Sequence, residues 1–156
     1  MDVKEFLKRY ENGERDFSGI ELRDLDLSGI NLSDKIILRK AKLIKVNLSN
    51  SELWKADLSE ANLSGSNLKS TNLWEANLTK ANLTNVSLYC GNLEAANLRN
   101  AILIDTDLRY TNLTGADFTS ANIEAALNLA SHHLFLVDES KNQNIELHAK
   151  LIELTR

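Results

Sequence analysis

The sequence predicts an all-β solenoid, in which the chain winds into coils that stack on one another. The first supporting observation is a five-residue repeat that fills residues 15–34 and then, without a slip, residues 36–125. The second is a segregation of small residues into columns when the sequence is written in rows of twenty. A single repeat cannot bury its central leucine alone, so neighbouring coils must supply the contacts.

The period of five matches neither an α-helix nor a regular strand. Steps of five residues advance about 500° around a helix, so the leucines would spiral over every face. A strand repeats every second residue. A short extended segment followed by a bend fits the pattern. The central leucine then points inward, a small residue two positions earlier points inward at the corner, and the other three positions face water.

Each column collects the residues that stand two positions before the central residue of every fourth repeat. From residue 41 onward, two columns contain only alanine, whereas the other two mix serine, threonine, valine and glycine. A coil of four repeats predicts this segregation, and a coil of three or five repeats would scramble it. We therefore expect a core built from the alanine columns and the central leucines, represented by Ala56, Ala76, Ala96, Ala116, Leu58, Leu63, Leu78, Leu83 and Leu98.

The repeated motif is A(N/D)LXX, as in the segments ADLSE, ANLSG, ANLTK and ADFTS. This motif resembles that of the pentapeptide-repeat family, and its twenty-two copies cover 110 of the 156 residues. The resemblance implies a right-handed quadrilateral β-helix with four repeats per coil. Twenty-two repeats correspond to about 5.5 coils, and we expect short helical caps at the ends.

The chain divides into three predicted segments. Residues 1–14 form an N-terminal capping helix, because apolar side chains recur there at helical spacing. Residues 15–125 form the pentapeptide-repeat β-helix, with a phase break at Lys35. Residues 126–156 form a C-terminal cap or tail that contains an amphipathic helix. That helix caps the last coil, joins a second subunit in a homodimer through the C-terminal end, or hangs free from a monomer.

Composition argues against several classes of partner. The net charge of −4 is mild, and no stretch approaches the roughly 18–20 apolar residues of a membrane span, so we expect neither a nucleic-acid nor a membrane partner. The first sixteen residues are charged throughout and do not predict a secretory signal. The single cysteine, Cys90, fits a reducing and therefore cytoplasmic compartment. The five basic residues within residues 35–45 are expected to form a solvated face.

The sequence contains no pattern typical of catalysis or metal binding. His132 and His133 are adjacent, whereas His148 and Cys90 are distant from them, so the spacing does not suit a metal ion. No histidine lies within the repeats to act as a base for Cys90. We therefore expect no cofactor and no enzymatic activity.

Both tryptophans of the chain, Trp54 and Trp74, occupy the outward position after a central leucine and lie twenty residues apart. They are predicted to sit one above the other on one wall, with rings able to stack offset. Tyr89, Arg109 and Tyr110 are predicted on the adjoining wall. These residue types are enriched at binding hot spots, so the pattern predicts a docking surface for an unidentified protein partner. In the alternative interpretation, the aromatic rings only cover a flat β wall or pack under a terminal segment.

Two classes of function follow from the resemblance. The first is a non-enzymatic interaction, scaffold or regulatory module that binds a partner through its outer faces. The chain is similar to small cyanobacterial pentapeptide-repeat proteins, one of which acts in the control of heterocyst differentiation by binding a regulatory protein. The alternative is a DNA-mimic regulator of DNA gyrase or topoisomerase, which the mild charge and the uninterrupted repeats fit poorly. A gyrase supercoiling assay distinguishes the two.

Overall fold

The computed structural model describes residues 1–33, 35–122 and 126. An N-terminal helix, α1 (Val3–Glu11), is followed by two short strands, β1 (Glu21–Arg23) and β2 (Lys42–Ile44). The strands pair in parallel, with Glu21 opposite Lys42. Beyond them, single-residue parallel bridges hold the coils together. Regular strands are short because the chain bends again after each repeat.

The bridges show the register of the coils directly. From Ile37 onward they join residues twenty positions apart, from the bridge between Ile37 and Asp57 to that between Asn97 and Asp117. Before that point the separation is twenty-one, as between Asp16 and Ile37. The additional residue is Lys35, whose φ is +51°. The number of 5.5 coils stays a prediction, because residues 123–125 of the last repeat lie outside the described residues. Apart from residue 126, the predicted C-terminal cap or tail and its possible homodimer contact also lie outside them.

Each corner is a turn that the repeat sequence itself builds. The Asn77 side-chain oxygen accepts the backbone N–H of Thr79 at 3.2 Å, and the Leu78 carbonyl accepts the N–H of Ala81 at 3.0 Å. Between them, Lys80 has a φ of +58°, as the third position of a type II turn requires. Asparagine and aspartate favour such turns because their side chains hydrogen-bond the backbone two residues on. Where asparagine or aspartate precedes the leucine, its side chain therefore stabilises the bend.

The interior of the coils contains the central leucines and the small-residue columns. The core residues Leu58, Leu63, Leu78, Leu83 and Leu98 are fully buried, and the alanine column Ala56, Ala76, Ala96 and Ala116 is at most 1% exposed. Such an interior has the density of an organic crystal and leaves little room for larger side chains. We call the repeats centred on Leu58 and Leu63, with those stacked on them, the alanine sides. We call the repeats centred on Leu48 and Leu53, with those stacked on them, the hydroxyl sides.

Buried hydroxyls on the hydroxyl sides donate to leucine carbonyls of the preceding coil. Thr71 Oγ1 donates to the Leu48 carbonyl oxygen at 2.7 Å, and Ser66 Oγ donates to that of Leu43 at 2.6 Å. The same contact joins three further pairs, Ser51 with Leu27, Thr106 with Leu83 and Thr111 with Leu88. A buried hydroxyl without a partner costs about 1–3 kcal/mol, and these contacts avoid that cost.

Helix α1 packs on the first coil. The Asp2 carboxylate caps it by accepting the Glu5 N–H at 2.8 Å, and Phe6 is 1% exposed with its ring centroid 4.8 Å from that of Phe17. The first repeat departs from the motif, because Arg15 stands at its small-residue position. It nevertheless joins the ladder, since Phe17 is buried and its N–H donates to the carbonyl of residue 37.

Candidate protein-binding surface

The two tryptophans lie on one hydroxyl side, directly after the inward-pointing Leu53 and Leu73. Their ring centroids are 6.4 Å apart, as expected for neighbouring coils, but the planes are inclined by 50°. The rings are therefore tilted rather than stacked offset. Lys55 extends over both, with its Nζ 4.7 Å from the Trp74 centroid and 5.9 Å from the Trp54 centroid. A pair of aromatic faces thus contacts an intramolecular cation.

Lys55 is itself held by a carboxylate of the next coil. Its Nζ lies 3.4 Å from Glu75 Oε2, and both side chains are about two-fifths exposed. Such an exposed ion pair contributes at most about 1 kcal/mol. Together with the ring contacts it keeps the ammonium beside the indoles.

An open groove of about 410 Å³ lies beside the tryptophan pair, lined by Trp54, Asn72, Trp74, Asn92 and Glu94. Its asparagines form a ladder along the stack. Asn92 Nδ2 donates to Asn72 Oδ1 at 3.2 Å, and Asn72 Nδ2 donates to Glu52 Oε2 at 2.7 Å. Because each amide is fixed by its neighbour, the floor of the groove is ordered before any ligand binds.

A second cluster lies on the other hydroxyl side. The Tyr89 and Tyr110 rings meet edge to face, with centroids 5.3 Å apart at 78°, and the Arg109 guanidinium carbon lies 5.5 Å from the Tyr89 centroid. Arg109 also donates two hydrogen bonds to the Asp107 carboxylate, from Nε to Oδ1 at 2.9 Å and from Nη2 to Oδ2 at 2.8 Å. Tyr110 is 55% exposed, so the cluster presents an aromatic edge to solvent.

The charges of this cluster affect one another. The Arg109 guanidinium, by hydrogen bonding to the carboxylate, holds the pKa of Asp107 below its usual value. The pKa of the Tyr89 phenol is raised, chiefly by the neighbouring Cys90 and also by burial. Arg109 and Asp107 therefore form a stable pair at neutral pH, and Tyr89 stays protonated there.

The five residues singled out from the sequence thus fall into two clusters on adjoining sides, one containing Trp54 and Trp74 and the other Tyr89, Arg109 and Tyr110. The spacing of twenty predicts that Lys55 stands beside Glu75 and that Glu94 lies in the tryptophan column. It does not predict the contact of Lys55 with both rings or the pairing of Asp107 with Arg109. Asp107 does lie two residues before Arg109, so the sequence held a signal for that pair.

The basic segment within residues 35–45 is largely neutralised across coils. Its ion pairs join Arg39 to Asp57 at 3.6 Å, Lys40 to Glu60 at 3.8 Å and Lys42 to Glu21 at 3.3 Å. In the part of the chain that the structure describes, no group of three or more His, Cys, Asp or Glu side chains is placed to hold a metal ion. Within the same residues, no helix has the length and apolar character needed to cross a membrane. The three histidines lie outside the described residues.

The model of the family described as pentapeptide repeats matches residues 36–75, 61–100 and 92–124, with eight copies. The chain belongs to the pentapeptide-repeat family. The resemblance drawn from the A(N/D)LXX motif is confirmed. Membership implies a right-handed quadrilateral β-helix, in agreement with the twenty-residue register of the bridges. Pentapeptide-repeat proteins are typically non-catalytic structural or interaction proteins.

Several solved structures of pentapeptide-repeat proteins are similar to this chain. Rfr23 from the cyanobacterium Cyanothece 51142 is 33% identical, over 76% of this chain and 97% of that one, with a TM-score of 0.42. A protein of the Arabidopsis thaliana thylakoid lumen is 27% identical, over 82% and 76%, with a TM-score of 0.51. HetL from Nostoc sp. strain PCC 7120, which is involved in heterocyst differentiation regulation, is 25% identical, over 81% and 94%, with a TM-score of 0.39. No curated protein matches the chain.

Proposed function

We propose that this pentapeptide-repeat protein is a non-enzymatic interaction module that binds a protein partner through the Trp54–Trp74 cluster and the adjoining Tyr89–Arg109–Tyr110 cluster. The observation that carries the proposal is the tryptophan pair. Both rings are only partly buried, they contact each other across two coils, and they border a groove of about 410 Å³. Large aromatic side chains held in one orientation are typical anchors of protein interfaces.

The scaffold beneath this surface supports the same function. Coil-to-coil hydrogen bonds fix the backbone at Lys55, whose N–H donates to the Trp74 carbonyl at 2.8 Å. Buried Ser51 and Thr71 add side-chain bonds at the corner where this wall begins. A surface that is already ordered loses little conformational entropy on binding, which favours affinity.

The second cluster extends the surface and adds charge. Arg109 is 40% exposed although Asp107 pairs with it, so part of its side chain remains accessible. Arginine and tyrosine beside tryptophan match the composition of interface cores. The single cysteine, Cys90, supports a reducing, cytoplasmic setting for the interaction.

The experiment is a quantitative affinity capture from the source cells with the purified full chain as bait. Trp54→Ala/Trp74→Ala is compared with wild type and with Ile44→Ala/Ile104→Ala, which truncates the equivalent outward positions of an alanine side. A partner is expected to be lost at least about tenfold with the tryptophan variant and retained with the isoleucine variant. If every captured protein binds the tryptophan variant as well as wild type, the proposed surface is wrong.

A further inference from the structure

We infer that the groove beside the tryptophan pair receives a cationic side chain, arginine or lysine, from an extended basic segment of the protein partner. This assignment deepens the interaction function proposed above and depends on it. It rests on a comparison between the two flanks of the same pair of rings.

One flank already contains a cation. Lys55 Nζ lies over the Trp74 ring at 4.7 Å and within 3.4 Å of a Glu75 carboxylate oxygen. An ammonium within about 6 Å of an indole centroid is attracted by the negative face of the ring. In this molecule, two indoles and one carboxylate therefore accommodate a basic side chain.

The groove repeats that set of groups without the cation. Its lining contains both tryptophans and the Glu94 carboxylate, and none of its five lining residues is basic. Lys55 does not line it. The groove thus offers the same kinds of group that surround Lys55, open to a group from outside.

Glu94 is positioned for this role by its neighbours. Its backbone N–H donates to Asn92 Oδ1 at 3.1 Å, and its Oε2 accepts Asn112 Nδ2 at 3.1 Å. At the opposite end of the asparagine ladder, the Glu52 carboxylate accepts Asn72 Nδ2 at 2.7 Å. Two carboxylates therefore bracket a neutral amide floor, and their charge complements a basic segment rather than an acidic one.

The chemistry favours a guanidinium most. Its plane stacks on aromatic faces while its N–H groups reach a carboxylate, a combination that an ammonium makes with less specificity. A neutral sugar would contact the same rings and amides but would leave Glu94 without a counter-charge. Charge complementarity thus separates the two classes of ligand.

The test uses ¹⁵N-labelled full chain and the indole N–H signals of Trp54 and Trp74, assigned with single Trp→Phe variants. The probe is an acetylated and amidated peptide of alternating glycine and arginine. Its control is the same peptide with citrulline, which keeps the shape and removes the charge. Cellohexaose serves as the neutral sugar probe.

Saturable shifts of both indole signals are expected with the arginine peptide, and the citrulline peptide should bind at least about tenfold more weakly. Glu94→Gln should weaken the arginine peptide about threefold to tenfold, whereas Glu75→Gln, on the Lys55 flank, should change its affinity by less than about twofold. The inference is overturned by an absence of saturable shifts, by equal binding of both peptides, by a response to cellohexaose alone, or by equal effects of the two Glu→Gln variants.

The same variants separate this inference from the interaction function. If a captured partner requires the tryptophans but binds Glu94→Gln as well as wild type, the inferred cationic ligand is wrong and the proposed interaction function stands. Arginine-peptide binding that depends on Glu94, without any tryptophan-dependent partner, keeps the chemistry of the groove and rejects the module.

Discussion

The alanine sides and the hydroxyl sides of the coil join neighbouring coils in different ways. On the alanine sides, side chains such as Ala76 fill the corner by packing alone. On the hydroxyl sides, Thr71 and its counterparts add a hydrogen bond to a leucine carbonyl of the coil below. The candidate binding surface lies on the hydroxyl sides. The large, partly exposed aromatic side chains therefore stand on the sides whose corners have additional hydrogen bonds.

Overpacking an alanine side should cause the largest loss of stability. Ala76→Leu places three additional carbon atoms where a methyl group is fully buried, and we expect the free energy of unfolding to fall by about 1–3 kcal/mol. Urea denaturation measures the change. Thr79→Leu places the same side chain at an outward position of the same side, and it should cost less than about 1 kcal/mol although it removes the hydroxyl that donates to Asn77. Equal losses for the two variants would contradict the packing of this interior.

Removing a hydroxyl from a hydroxyl side should have the next largest effect. Thr71→Val keeps the shape but removes the hydrogen bond to Leu48, and we expect a loss of about 1 kcal/mol in unfolding free energy. Ala76→Ser makes the reverse change on an alanine side, where the Leu53 carbonyl occupies the corresponding position. It should alter stability by less than about 1 kcal/mol, because the new hydroxyl finds an acceptor. If Ala76→Ser costs more than Thr71→Val, the two kinds of side are not interchangeable.

Acid should lower the free energy of unfolding by protonating Asp107. Because Arg109 lowers the pKa of Asp107 in the folded protein, this carboxylate stabilises the fold above its ordinary pKa of about 4, and the contribution is lost as the pH falls through the lowered value. We expect Asp107→Asn to cost up to about 1 kcal/mol at pH 7, and progressively less below pH of about 4. Urea denaturation across this pH range tests the prediction. Arg109→Gln should flatten the same pH dependence, and an unchanged profile in both variants would contradict it.

The smallest effect is expected at the corner that follows the tryptophan wall. Ala95 has a φ of +56°, a conformation that costs a residue with a side chain about 1 kcal/mol, and Gly115 has a φ of +67° at the equivalent position one coil later. Ala95→Gly should stabilise the protein by about 0.5 kcal/mol, and Gly115→Ala should destabilise it by a similar amount, since its new Cβ would meet only ordinary contacts at 3.9 Å. Thermal melts of the two variants should shift in opposite directions. Shifts of the same sign would show that backbone strain does not control this corner.

The sequence predicts those features that depend on position within the repeat. The twenty-residue register, the inward leucines and the proximity of Trp54 to Trp74 all follow from counting in fives. The asparagine ladder, between Asn72 and Asn92 among others, follows from the same spacing. Each of these features depends on position within the coil, so the repeat alone predicts them.

Side-chain orientations at single positions could not be predicted in that way. The repeat does not specify side-chain rotamers. The tilt of the tryptophan rings, the placement of Lys55 over them and the hydrogen bonds of Arg109 to Asp107 all depend on those rotamers. The repeat also does not predict the buried hydroxyl bonds, because at the corner position it distinguishes serine and threonine only by their small size. Ser87 stands in the column of Asn67 and Asp107, so its position in the repeat predicts a polar contact. Its buried Oγ nevertheless has no hydrogen-bond partner among the described residues.

Lys35 bears on how such a protein can change in length. The bridge between Asn31 and Glu52 spans twenty-one residues, whereas that between Ile37 and Asp57 spans twenty, so one inserted residue is absorbed within a single corner. The coils on both sides keep their leucines buried, as Leu32 and Leu38 show. An insertion at a corner is therefore a local event, because the parallel bridges on both sides of it are kept. Corners are consequently the sites where a loop, an epitope or a tether can be grafted while the walls between them keep their spacing.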